Sequence, residues 1–452
     1  MAVSPPPVPE PVPAALLTQR AILRFYRPLA LSWIFMALES PVSVALIARR
    51  PDGQVGTAAF LVLMSLALWI ESPVIDLLAT STTLGKNRQH YVVLTRFAQI
   101  TIVAVTLVHF LVAATPLYWG ITRSLLGIPE PVAQAARVGM IVMIPWSGMI
   151  GWRRYLQGLL IRHGRTRLIG WGTGMRVATM AGSAFALFQL TDWAGITIAS
   201  AALICSVSTE ALFIHLASRA MIRIEFGVDD RVASERLTLR RLSAFHLPLT
   251  ATTMVMLMSG LVVSAALAKA PNSVLSLAAW QVAATVLFLH RTIVFALPEV
   301  VVALYRDAES AAVLRRFCLN VGLATSGTIV LFAVFGLDTW FFARGLGSKP
   351  DTVATAHVAY VVGTFMPLLG ALQSYVRGML TAHHLTVARL QAVLVSMACL
   401  VAALTAGVLL RWPGVVTAGV AMTLAMAAEL GALVRNWRRG RARLAAASLG
   451  GG

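Results

Sequence analysis

Twelve apolar stretches of about 20 residues, each long enough to carry a helix across a bilayer, follow one another along almost the whole of this sequence. No other feature limits the fold as much. In hydrocarbon every backbone N–H and C=O has to be paired internally, so only helices or closed barrels cross. Barrel strands alternate apolar and polar residues, and these stretches do not. The sequence therefore reads as an all-α, polytopic membrane protein. Charged residues make up 12% of it, against roughly 25% in soluble domains.

The spans are expected at 26–48, 57–80, 91–118, 132–158, 168–190, 194–218, 243–268, 273–303, 313–341, 352–380, 386–410 and 413–435. An even number places both termini on one side. Basic residues on that side outnumber those on the other about threefold, the bias that marks cytoplasmic loops. Both termini are thus expected in the cytoplasm, with the chain in the cell inner membrane. The net charge of +19 needs no nucleic acid partner, because loop arginines supply it and no basic soluble domain is visible. Residues 1–24, rich in proline, and 438–452 read as disordered cytoplasmic tails. The polar stretch 223–242 reads as a linker between six helices in 25–222 and six in 243–437.

The chain also repeats itself. YLQGLLIRHGRT begins at Tyr155 and YVRGMLTAHHLT begins 220 positions later at Tyr375, so that Gly158 matches Gly378 and His163 matches His383. The segments Pro28 to Pro51 and Pro248 to Pro271 keep the same spacing. One spacing held across several spans implies duplication of a six-helix unit. An even-numbered unit gives two copies of one orientation, related by an axis along the membrane normal, as in parallel-repeat transporters. Pro145 and Pro367 fall at similar places in spans four and ten. Each frees a carbonyl that lipid cannot satisfy, so these kinks are expected to face protein or water. On span five, Gly170 and Gly174 have the small-xxx-small spacing that lets helices approach closely.

A charge at mid-bilayer costs roughly 2.5–3.5 kcal/mol on insertion scales, so such residues usually pair or line a cavity. Span two carries Glu71 and Asp76 around the Ser72–Pro73 break, and span eight carries His290, Arg291 and, after Pro298, Glu299. Glu71 and Arg291 are 220 positions apart and are expected to meet between the halves, either as a structural ion pair or as part of a cavity. Span one carries Glu39; Glu210 and Glu429 are further acids inside spans, and His109 and His246 further titratable groups. Arg153, Arg154, Arg176 and Arg377 either snorkel to the headgroups or hold an anion. Arg154 and Arg176 lie deeper than Arg377, by about 8 Å at helical rise, and guanidinium matches carboxylate and phosphate through paired hydrogen bonds. His163, His383 and His384, at inner span ends, suit capping or headgroup contact. Cys205, Cys318 and Cys399 sit in apolar spans as small buried residues, so no metal or other cofactor is expected. No nucleophile or metalloprotease motif appears, and the chain does not read as an enzyme.

Four segments then carry a resemblance. RFYRPLALSW (24–33), SPVIDLLATSTTLGKNR (72–88), QGLLIRHGRTRLIG (157–170) and FALPEVVVALYRD (295–307) resemble the progressive ankylosis protein family, in a bacterial version. That family lies within the multidrug/oligosaccharidyl-lipid/polysaccharide exporter superfamily, and the resemblance runs from about 22 to 437. It implies a MATE-like fold and efflux of anionic metabolites of the pyrophosphate, nucleotide triphosphate or citrate class. Asp76 and Glu299 match acidic positions of the family, whereas Glu39 lies about one position out of register.

The reading that follows is a secondary-active or facilitative transporter, monomeric in the lipid bilayer, that exports a small anionic substrate by rocking of two halves. Arg154, Arg176 and Arg291 hold the anion, with Arg377 and His290 beside them. Glu39, Glu71, Asp76 and Glu299 gate the site or carry a coupling proton or cation. Acids and arginines within the spans are nearly equal in number, so only local clustering would favour an anion. The alternatives are a drug or cation antiporter using Glu39 and Asp76, a lipid-linked precursor flippase, or a membrane scaffold or receptor working through the basic loop 219–242.

Overall fold

The structure, a computed structural model, describes residues 17–227, 236–383 and 385–449. Parts of the expected tails and linker, and all of His384, lie outside the described residues. Among the described residues there are helices and no strands. Twelve long elements follow in order: α1 Gln19–Ala48, α2 Gly53–Leu84, α3 Arg88–Ala114, α4 as Glu130–Val142 and Trp146–Arg162, α5 Thr166–Leu190 and α6 Gly195–Phe226. The second half repeats them as α7 Leu239–Ala268, α8 Ser273–Leu304, α9 Ala308–Val334, α10 Pro350–Ala382, α11 Thr386–Leu409 and α12 Gly414–Leu449.

Ten of these are long and apolar enough to cross a membrane. The exceptions are α4, broken by Pro145 into two short pieces, and α5, which carries Arg167 and Arg176 among glycines and threonines. The irregularities recur in both halves. α2 breaks at Asp76 and α8 at Ala296, while α10 tightens at Gly363–Phe365 before Pro367. Short lateral helical turns at 117–125 and 337–345 precede α4 and α10. The breaks face protein, as an apolar solvent requires. Ser72 Oγ donates to the Trp69 carbonyl (2.7 Å) and Ser374 Oγ to that of Val294 (3.3 Å). His109 Nε2 reaches the Met140 carbonyl at 3.1 Å, and His246 Nε2 that of Pro73 at 3.0 Å.

The repeated phrase is a packing device. A Cβ at Gly158 would stand 1.9 Å from Ser81 Oγ and 2.4 Å from the Leu78 carbonyl oxygen, so α4 meets the second segment of α2 backbone to backbone. At Gly378 it would stand 2.6 Å from Val301 Cβ, and α10 meets the second segment of α8 through that side chain. Gly170 and Gly174 do not behave as their spacing implies. Nothing lies within 4 Å of a Cβ at either, and the close glycine of α5 is Gly172, 3.4 Å from Glu210 Cγ. The spacing gives the shared face of Gly170 and Gly174, but the helix turns that face outward.

α1 bends at Leu38. Its first segment packs on the opposite half: Ile22, Tyr26 and Ala30 join Val294, Phe317 and Met379, and Tyr26 Oη donates to the Ile293 carbonyl. Its second segment, Glu39–Ala48, packs on α5 and α6. At the face remote from the chain ends the halves are tied. Arg49 donates to the carbonyls of Arg344 (2.9 Å) and Gly345 (2.8 Å), and Gln54 to Asp351 Oδ2 (3.2 Å). α2 and α8 pack along 53–75 and 273–295, whereas their segments 77–84 and 297–304 do not pack on each other. Arg49→Ala is expected to loosen the tied face. A cysteine placed at the cavity residue Ser43 should then react faster with a membrane-impermeant thiol reagent added on that side; an unchanged rate would show that Arg49 is no latch.

Candidate functional site

Three adjoining cavities lie within and between the halves. The first, of about 410 Å3, is walled by α1, α2, α4, α5, Leu203 of α6 and the middle of α8. Its polar wall follows from local structure. The bend at Leu38 makes Glu39 the first residue of a helical segment, where Arg176 Nε and Nη2 grip its two oxygens, both at 2.5 Å. Such bidentate pairs are the strongest charge-assisted hydrogen bonds. Arg176 also reaches Glu210 Oε2 at 3.5 Å. Glu210 is fully buried and accepts from Arg153 (2.6 Å) and from Gln157 (3.1 Å), one turn further along α4. Glu39, Arg176, Glu210 and Arg153 thus form a chain of alternating charge across α1, α5, α6 and α4. Glu71 accepts from the indole N–H of Trp146. Arg154, the neighbour of Arg153, turns to another side of α4 and lines the cavity. Among the described residues it makes no hydrogen bond or ion pair, and its Nε is buried without a partner. Phe60, Met64, Leu68, Ile150 and Phe288 supply apolar wall, and Ser40, Ser43, Gln281 and Thr285 supply neutral polar groups.

The second cavity, of about 260 Å3, lies in the C-terminal half. Arg377 is paired with Glu429, its Nε at 3.1 Å from Oε1, and Gln373 donates to the Met426 carbonyl at 2.7 Å. Duplication explains the likeness to the first cavity. Arg153 and Gln157 match Gln373 and Arg377 at the spacing of 220, so arginine and glutamine have exchanged places one turn apart, and in each half the arginine pairs with a glutamate of the last helix, Glu210 or Glu429. Arg291 also lines this cavity and, among the described residues, has no hydrogen bond or ion pair; the nearest ring, Phe295, is 5.9 Å away. A third space of about 170 Å3 joins the two. It shares Ala284 and Phe288 with the first cavity and Ser259 and Arg291 with the second.

The structure gathers Glu39, Glu71, Arg154 and Arg176 in one cavity and Arg291 and Arg377 in another. Three expected site residues line none of these spaces. Asp76 sits at the α2 break with Oδ2 buried and unbonded, and Glu299 is exposed. His290 bonds the Val286 carbonyl (2.9 Å) and touches the rings of Phe332 and Tyr360. The expected meeting of Glu71 and Arg291 does not occur, because each side chain turns toward the inner helices of its own half. Arg377 does not snorkel; Glu429 holds it. Glu210, Gln157, Trp146 and Gln373 were not expected at the site. The arginine–glutamine exchange at the repeat spacing was the signal for two of them. Five arginines line the two charged cavities against three carboxylates, Glu39, Glu71 and Glu429, with Glu210 behind Arg153.

No protein-family model and no curated protein matches the sequence. Solved structures match closely in shape. An inward-facing multidrug resistance MATE family transporter of the MOP superfamily aligns over 96% of this chain and 100% of its own, with TM-score 0.64 and 13% identity. The outward-facing conformation of a MATE family transporter aligns over 95% and 96%, with TM-score 0.63 and 16% identity. A MOP superfamily transporter from Pyrococcus furiosus, described as having a binding pocket of reverse polarity that suggests a different function, aligns over 95% and 96%, with TM-score 0.64 and 15% identity. The chain therefore has the MATE-type fold, a multi-pass membrane architecture of twelve helices in two repeats.

Proposed function

We propose that this protein is a secondary transporter that moves a small organic or phosphate-bearing anion by alternating access. The observation that carries the proposal is the pair of partnerless guanidinium groups, Arg154 and Arg291, facing connected cavities in which arginines outnumber carboxylates. A buried cation without a partner is costly, so such groups await an anion or water. The paired arginines 153, 176 and 377 hold the walls. The likeness to both inward- and outward-facing MATE structures supports rocking of the halves. With the termini in the cytoplasm, as the loop charges favour, the tied face is the outer one, and a state tied on its outer face suits the loading step of export. The resemblance to the progressive ankylosis family puts citrate, pyrophosphate and nucleotides first among candidate substrates.

The test is flux of labelled citrate, pyrophosphate and nucleotide in proteoliposomes. At least one should move, and Arg154→Gln and Arg291→Gln should each slow it at least about tenfold, the equivalent of 1.4 kcal/mol. A second reading, export of organic cations, is favoured by Glu71, a carboxylate of the cavity wall with no arginine hydrogen-bonded to it among the described residues, beside the apolar side chains of Phe60, Met64, Leu68 and Phe288. Ethidium flux lost in Glu71→Gln, with no anion moved, would establish it in place of the first.

A further inference from the structure

The repeated phrase of α4 and α10 also borders a space separate from these cavities. At the face that carries the chain ends, Tyr375, Met379 and His383 of α10 form one side of a pocket of about 300 Å3, closed by the first turns of α9 and the end of α12. None of its lining residues lines the cavities above.

Duplication supplies an internal control. In the N-terminal half the matching positions are filled. Tyr91 stacks on Phe226 with ring centroids 4.8 Å apart, and His163 meets the same ring edge-on at 5.1 Å. Thr95 Oγ1 bonds the Tyr155 hydroxyl at 2.6 Å. At the repeat spacing Tyr91 becomes Ala311 and Thr95 becomes Arg315. The second copy has thus lost its filler and gained a cation. Arg441, from α12, brings a second. Both are exposed, and neither has a hydrogen bond or ion pair among the described residues. His383 is fixed between the Met379 carbonyl (2.9 Å) and the Tyr305 hydroxyl (3.2 Å), and its ring lies 4.8 Å from that of Trp437. The acids nearby do not neutralise the corner: Asp307 caps α9 by accepting from the Ser310 amide at 2.8 Å, and neither it nor Glu309 lines the pocket.

We propose that this pocket binds a phosphate-bearing anion distinct from the transported substrate. Two free guanidinium groups offer paired donors to phosphate oxygens. Tyr and Trp rings beside them suit the polar boundary of a membrane, where one end of a ligand is apolar and the other wet. An anionic phospholipid headgroup and a soluble phosphate ester share this chemistry.

The test is thermal unfolding of the purified full-length protein, titrated separately with dioctanoyl-phosphatidylglycerol, inorganic phosphate and AMP. A ligand that binds only the folded state raises the midpoint saturably. A shift with the lipid alone assigns a headgroup, and a shift with phosphate or AMP assigns a soluble ester. The double variant Arg315→Gln/Arg441→Gln should weaken the apparent Kd at least about tenfold. Ala311→Tyr, which restores the N-terminal filler, should do the same, and both effects should persist in an Arg154→Gln/Arg291→Gln background, where the proposed transport site no longer contributes. The Arg315→Gln/Arg441→Gln variant alters exposed side chains only, so it remains a test if Ala311→Tyr misfolds. The proposal is overturned by no saturable shift with any probe in the Arg154→Gln/Arg291→Gln background, or by a shift there that Arg315→Gln/Arg441→Gln leaves undiminished.

Discussion

Glu210→Leu should lower the thermal unfolding midpoint more than any other change of a single charged side chain in the N-terminal half. The carboxylate is fully buried and accepts from Arg153, Gln157 and Arg176. Breaking a buried pair by removing one partner costs about 3–5 kcal/mol, because the remaining charge is stranded. Arg176 keeps Glu39, so the loss falls mainly on Arg153, which is 5% exposed. Adding Arg153→Met to Glu210→Leu should restore much of the stability, since an apolar pair in place of an ionic one is often neutral or better. Glu429→Leu should be milder, because the Arg377 side chain keeps 23% exposure to its cavity. A Glu210→Leu protein that melts like the wild type would remove the charge chain from any account of stability.

Gly158→Val should be as damaging by a different route. Overpacking usually costs about 1–3 kcal/mol, and here the obstacle includes main chain, the Leu78 carbonyl at 2.4 Å. The matched change Gly378→Val meets Val301 Cβ at 2.6 Å and main chain only at 3.2 Å, the Pro298 carbonyl. Gly174→Val meets nothing within 4 Å and serves as the control. The expected order of folded yield after detergent extraction is Gly174→Val, then Gly378→Val, then Gly158→Val. Equal yields would mean that α4 and α2 do not approach as closely as described.

The twelve helices, their duplication and the kinks at proline were legible in the sequence, because hydropathy and spacing are one-dimensional signals. Side-chain direction was not. Glu71 and Arg291 occupy equivalent positions, but equivalence alone does not bring side chains together: Glu71 accepts from Trp146 and Arg291 lines the cavity of the C-terminal half. Arg153 and Arg154 are adjacent in sequence and line one cavity, yet about 100° of helical rotation gives the first Glu210 as a partner and leaves the second with none among the described residues. Spacing fixed the face shared by Gly170 and Gly174 but not where that face points; Gly172 between them makes the close contact.

The joint at Leu38 makes α1 a lever with its ends in different bodies. Its first arm is seated among Val294, Phe317 and Met379, and its second begins with the carboxylate that grips Arg176. Any swing of the C-terminal bundle therefore drags the first arm and twists the peptide before Glu39. If the halves rock as proposed, tension from the C-terminal bundle is delivered straight to the Glu39–Arg176 pair of the N-terminal one.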